Sequence, residues 1–181
     1  MSCFGPTEYL DYKKDPKAFV HIKAYEGLIE GRLALEMLKA GLLREASIKA
    51  FQAVRAVASA IIVKNFDRVV NLRGGKDKHW YETEGYTAPA RGMVTISYDL
   101  LDLGIDAFHP IRTALTLEGF YRWGFDPDFS HYCREEDVVH DIREVLEWLT
   151  TVDKYFKEEW DERLERARKD LEEELKGIKE E

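Results

Sequence analysis

Apolar residues recur along this chain at spacings of three and four, and the longest such pattern, from Leu33 to Asn65, breaks only at Gly41. On a helix of about 100° per residue, Ala46, Ala50, Ala53, Val57, Ala60 and Ile61 share one narrow face. Phe51, Val54, Ala58 and Ile62 occupy an adjoining one. A helix that is apolar over most of its circumference belongs in the centre of a fold. The preceding segment, from Pro16 to Ala40, carries Val20, Ala24, Gly27, Leu28, Gly31, Leu35 and Leu38 on a single face, with small residues where a neighbouring backbone can approach. Asp15-Pro16 supplies an N-cap followed by a proline at the first helical position, and Gly41 supplies a left-handed residue that ends the helix. Together the two segments predict a tight antiparallel hairpin.

From Asp67 to Ala90 the periodicity stops among Gly74-Gly75, Gly85 and Pro89, which predicts a long loop. A third helix is expected after Thr87 and Pro89, running through Met93, Ile96, Leu100 and Leu101 to Gly104. A fourth follows Asp106, with Phe108, Ile111, Ala114, Leu115, Leu117, Phe120 and Tyr121 as its apolar contacts, and Pro127 breaks the chain beyond it. The last stripe reads Val138, Ile142, Val145, Leu149, Val152, Phe156, Trp160, Leu164, Ala167, Leu171 and Leu175, and Glu135-Glu136-Asp137 at its start opposes the helix dipole. Read as one helix from Glu135 to Ile178, it is about 65 Å long and must project, fold back or pack on another chain. Glu159 with Arg163, Glu162 with Arg166 and Glu165 with Lys169 add charge pairs four residues apart. The fold class expected is all-α: an antiparallel four- to five-helix bundle with a long loop after helix 2 and an extended C-terminal helix. Residues 1–156 form the bundle and 157–181 a charged helical extension.

A length of 181 residues suits one core and does not demand two domains. The first residues lack the basic start and apolar run of a signal peptide, so the expected location is cytoplasmic, without a membrane partner. Cys3 and Cys133 show no metal or redox spacing and are expected as reduced thiols, a single bridge between them being the alternative. The net charge of -8 divides unevenly: residues 1–91 hold fifteen Lys or Arg against eleven Asp or Glu, and residues 92–181 hold twelve against twenty-four. An acidic whole argues against general nucleic-acid affinity while leaving room for a local basic patch.

Ala46-Ser47-Ile48-Lys49-Ala50-Phe51-Gln52-Ala53 after Leu38-Lys39-Ala40-Gly41, with Ala114-Leu115-Thr116-Leu117-Glu118-Gly119-Phe120-Tyr121 further on, resembles the archaeal PaREP family of the HEPN superfamily. The resemblance covers about a hundred residues. It implies a compact, often dimeric bundle of four or five helices in a superfamily of metal-independent ribonucleases, their inactive relatives, and nucleotide- or RNA-binding modules. The long 67–90 segment, the extended last helix, and Glu118 where a histidine is expected before Gly119, are departures from that pattern. High Glu and Lys usage with few Cys and Met fits a thermophilic source.

In active relatives an Arg precedes a His by four to six residues, the pair activating a ribose hydroxyl and stabilising phosphate charge. Arg134 with His140 and Arg73 with His79 both fit that spacing, and Arg134/His140 stands where the resemblance places a catalytic pair. In the 67–90 segment Arg73, Lys76, Lys78, His79 and Trp80 mix charge with an aromatic ring, as a grip on phosphate and base requires. Lys49 and Arg55 interrupt the apolar second helix, and they either face an anionic ligand or pair with a carboxylate such as Glu26, Glu30 or Glu118. Asp106-x-x-His109, Asp128-x-x-His131 and Asp137-x-x-His140 lack the Glu-x-x-His frame of a di-iron bundle, so neither a metal nor a cofactor is expected. The leading functional expectation is a non-catalytic homodimer that binds nucleotide or RNA. The alternatives are a metal-independent ribonuclease using Arg134 and His140, and a toxin–antitoxin-like component whose C-terminal stripe docks a nucleotidyltransferase-type partner.

Overall fold

Asp15 caps the first helix as its sequence requires: the carboxylate accepts a hydrogen bond from the Ala18 amide at 2.9 Å, with Pro16 at the first helical position. This computed structural model describes residues 11–179, so Cys3 and any bridge from it lie outside the described residues. Among the described residues eight α-helices follow in order: α1 (Pro16–Lys39), α2 (Leu43–Lys64), α3 (Phe66–Val70), α4 (Lys78–Thr83), α5 (Met93–Asp102), α6 (Phe108–Trp123), α7 (Glu135–Leu149) and α8 (Glu162–Lys179). No strand occurs among the described residues, and the fold is all-α.

The hairpin forms as the periodicity predicts. Gly41 takes a left-handed φ of 73° between α1 and α2, a conformation glycine adopts without strain. Every residue assigned to the two apolar faces of α2 is buried. That helix is long and apolar enough to cross a membrane, yet 78% of its most apolar window is covered by the rest of the chain. Gly27 brings α1 and α2 together: a Cβ there would lie 2.5 Å from Val57 Cγ2 and 3.1 Å from the Ala53 carbonyl oxygen. Gly27→Ala is therefore expected to cost about 1–2 kcal/mol, the clash outweighing a helix-propensity gain of up to about 1 kcal/mol. Chemical denaturation measures it, and a Val57→Ala background should remove most of the penalty.

Two sequence expectations are corrected. The 67–90 segment is a chain of short helical turns, α3 and α4 with single 3₁₀ turns at Leu72–Gly75 and Gly85–Thr87, and not an open loop. Trp80 pins it: a Cβ at Gly85 would lie 2.7 Å from the indole and one at Gly92 2.4 Å, so two glycines clasp the ring.

The single long C-terminal helix is also corrected. It stops at Leu149, where the Thr150 and Thr151 hydroxyls bond back to the Glu147 and Trp148 carbonyls. After a 3₁₀ turn at Val152–Tyr155, Asp161 restarts the helix by accepting from the Leu164 amide at 3.0 Å. Because Arg168 reaches the Thr150 carbonyl and Arg143 the Ile178 carbonyl, α8 runs antiparallel to α7. Leu164, Leu171 and Leu175 are buried in the chain's own core. Polar contacts align the same packing, Arg32 to Glu174 at 2.6 Å and the Arg163 guanidinium 4.0 Å from the centre of the Tyr25 ring. The guanidinium of Arg168 and the indole N–H of Trp160 hold the Glu165 carboxyl down to about 2.

Candidate functional site

Packed side by side in opposite directions, α6 and α7 leave between them a cleft of about 600 Å³. From α6 it takes His109, Arg112, Thr113 and Thr116; from α7, Asp141 and Glu144; and from the segment joining them, His131. These positions follow from helix geometry: His109, Arg112 and Thr116 succeed one another at three and four residues, as do Asp137, Asp141 and Glu144. The connecting segment is shaped by Asp126, whose carboxylate accepts the amides of Asp128 and Phe129.

The polar groups of the cleft fall into two sets. On the α6 side the Arg112 guanidinium lies 6.0 Å from the centre of the Tyr98 ring and 5.9 Å from that of Phe108. Its Nη1 is buried without a hydrogen-bond partner among the described residues. A buried donor left unpaired costs free energy that a bound acceptor would return. On the α7 side, His109 Nε2 lies 2.7 Å from Glu144 Oε1, and the Tyr132 hydroxyl donates to Asp141. Burial, with that bond to Asp141, raises the Tyr132 phenol far above its usual range and keeps it a donor.

Arg134 and His140 both stand at the start of α7, Arg134 as the N-cap residue and His140 on the second turn. The Arg134 guanidinium is closed in a fork on Asp137, at 2.9 and 2.8 Å, and that carboxylate holds it protonated. His140 is 77% exposed with Nδ1 3.6 Å from Asp141. Of the seven residues expected to bind a ligand, four serve contacts of their own. Lys49 pairs with Glu30 at 2.9 Å, one of the carboxylates anticipated for it, and Arg55 reaches the Thr87 carbonyl. Arg73 forks onto Asp99, and Trp80 is held between Gly85 and Gly92. Lys76, Lys78 and His79 are exposed on the same segment.

Sequence reading did not join His109, Arg112, His131, Asp141 and Glu144. The histidines were visible as Asp-x-x-His, but two of the three acids look elsewhere: Asp137 binds Arg134, and Asp106 lies near Lys154. The usable signal was the carboxylate stripe Asp137, Asp141 and Glu144 on α7, with His109 and Arg112 three residues apart on α6.

No curated protein and no solved structure matches the chain. The family described as archaeal PaREP1/PaREP8 matches residues 23–143, from within α1 to within α7. That span takes in most of the hairpin and most of the cleft, Arg112, His131 and Asp141 included, and stops one residue before Glu144. Matched over two thirds of its length, the chain belongs to the archaeal PaREP1/PaREP8 family.

Proposed function

We propose that this protein is a homodimeric helical-bundle module of the HEPN type that binds the phosphate ester of a nucleotide or RNA in the α6–α7 cleft without cleaving it. The observation that carries the reading is Arg112, which lines the cleft and whose guanidinium has one nitrogen, Nη1, buried without a hydrogen-bond partner among the described residues. His109, His131, Thr113 and Thr116 supply further hydrogen-bonding groups along the same walls. Absence of cleavage is supported by Arg134: the guanidinium that would stabilise phosphate charge is engaged by Asp137. Self-association is supported by an aromatic patch in and beside the α6–α7 connection, where Tyr121, Trp123, Phe125 and Phe129 are exposed and the Trp123 and Phe129 rings stack at 4.9 Å.

The test is anisotropy of a labelled oligoribonucleotide titrated with the full chain, alongside competition by nucleoside monophosphates. Arg112→Ala is expected to weaken binding about 10- to 100-fold, the range of a hydrogen bond to a charged group. Undetectable binding by the wild type, or equal binding by the variant, overturns the reading.

The ribonuclease alternative is favoured by one observation, the exposure of Arg134 and His140 together at the start of α7. It requires cleavage that persists in EDTA and disappears in His140→Ala.

A further inference from the structure

Asp137, Asp141 and Glu144 lie at spacings of four and three on one face of α7, and carboxylates so placed repel one another. Asp137 is neutralised by Arg134 at the N-cap. Asp141 receives the neutral phenol of Tyr132, and Glu144 receives His109 from the neighbouring helix. Donor atoms of His140, Asp141 and Glu144 all lie within 4.8 Å of one another, and His109 Nε2 is 2.7 Å from Glu144 Oε1. Two carboxylates and one imidazole of α7 thus gather beside the cleft, and the His109 imidazole of α6 meets them at Glu144.

We propose that His109, His140, Asp141 and Glu144 bind one divalent first-row transition-metal ion, of the zinc or manganese class. Donors at about 2.0–2.2 Å from such an ion sit roughly 3.3–3.6 Å apart around a tetrahedron. Binding requires His140, Asp141 and Glu144 to draw in from the 4.8 Å within which they now lie, and Glu144 to give up its hydrogen bond with His109 to the ion. The donor set selects the ion. Imidazole with carboxylate suits zinc, manganese, iron or nickel, whereas calcium and magnesium favour oxygen-only shells and the site contains no thiolate. The charges close as well, since two carboxylates with neutral imidazoles balance a 2+ ion. Tyr132, donating to Asp141, is the kind of outer hydrogen bond that fixes a ligating carboxylate. Asp-x-x-His spacing pointed to no metal because the relevant partners are a residue on another helix and the residues one and four positions after His140.

Metal binding does not rest on phosphate recognition. An ion at the α7 wall would neutralise the two carboxylates that oppose an anion held by Arg112, so the two readings are compatible and separately testable.

The experiment is calorimetric titration of the full chain with Zn²⁺ alone, without any phosphate ester, paralleled by the visible absorption of bound Co²⁺. One ion per chain is expected. His109→Ala and Glu144→Gln should each weaken binding about tenfold or more, while Arg112→Ala and Cys133→Ser leave the stoichiometry unchanged. His109 is exposed and Glu144→Gln keeps the side chain's shape, so without metal both variants should melt with the wild type. If the wild type binds no ion, or if binding survives both His109→Ala and Glu144→Gln, the proposal is overturned. Loss of the ion in Cys133→Ser with retention in His109→Ala assigns it to the thiol and overturns the proposal equally.

Discussion

Phe156→Ala is expected to lower the free energy of unfolding by about 3–5 kcal/mol, the range for deleting a fully buried phenyl ring. Phe156 is 0% exposed although it sits between two helices, in the connection that turns α7 back into α8. Its ring meets Tyr155 edge-on, with centroids 6.0 Å apart, and it belongs to the same core as Leu149, Val152 and Leu164. A connection that only linked two solvent-exposed helices would have no reason to bury so large a side chain. Equilibrium urea unfolding at 25 °C measures the loss, with Leu101→Ala, an exposed side chain on α5, as a comparison expected to cost under about 1 kcal/mol. A Phe156→Ala penalty no larger than that of Leu101→Ala would mean that α8 does not return to the bundle.

That return is the feature the sequence hid most effectively, and the reason is geometric. Leu149, Val152, Phe156, Trp160 and Leu164 keep spacings of three and four straight through the break, because a 3₁₀ turn and two helix ends can face one core at the same intervals as a single helix. The local signals were present in Thr150-Thr151-Val152, a β-branched run, and in Asp161, a cap. By contrast α1 and α2 were legible almost residue by residue, since Asp15-Pro16, Gly41 and the alanine faces all act within a few positions of themselves. The 67–90 segment failed for the opposite reason: what orders it are Trp80 against two glycines and Arg73 against Asp99, contacts made across distances that no periodicity records. The cleft was half legible. His109, His131 and His140 stood out as residues, but the contact of His109 with Glu144 comes from the pairing of α6 with α7, and that pairing is a property of the fold.

Asp99→Ala is expected to cost about 2–4 kcal/mol. Asp99 is 1% exposed on α5 and accepts three hydrogen bonds: from Arg73 Nη1 at 2.7 Å, from Arg73 Nη2 at 3.1 Å and from the Tyr81 hydroxyl at 2.6 Å. Removing it strands the buried Tyr81 hydroxyl, worth about 1–3 kcal/mol, and releases Arg73. Arg73 holds a left-handed φ of 50° ahead of Gly74 and Gly75, also left-handed, and without Asp99 nothing from α5 anchors that turn. Arg73 is partly exposed and keeps Asp77, so its own loss is modest and the sum stays below that of a wholly buried ion pair. Tyr81→Phe, which leaves the Arg73–Asp99 pair intact, should cost only about 1 kcal/mol. The network also has a pH signature. Burial first, then the hydrogen bond to Asp99, raises the Tyr81 phenol far above its ordinary value of 10.0. Above pH 10 the unfolded chain loses that proton while the folded one keeps it, so stability present below pH 10 falls by about 1.4 kcal/mol per pH unit for this residue. Tyr81→Phe should flatten the alkaline limb by that amount, and an unchanged slope would show that the phenol is not held protonated in the fold.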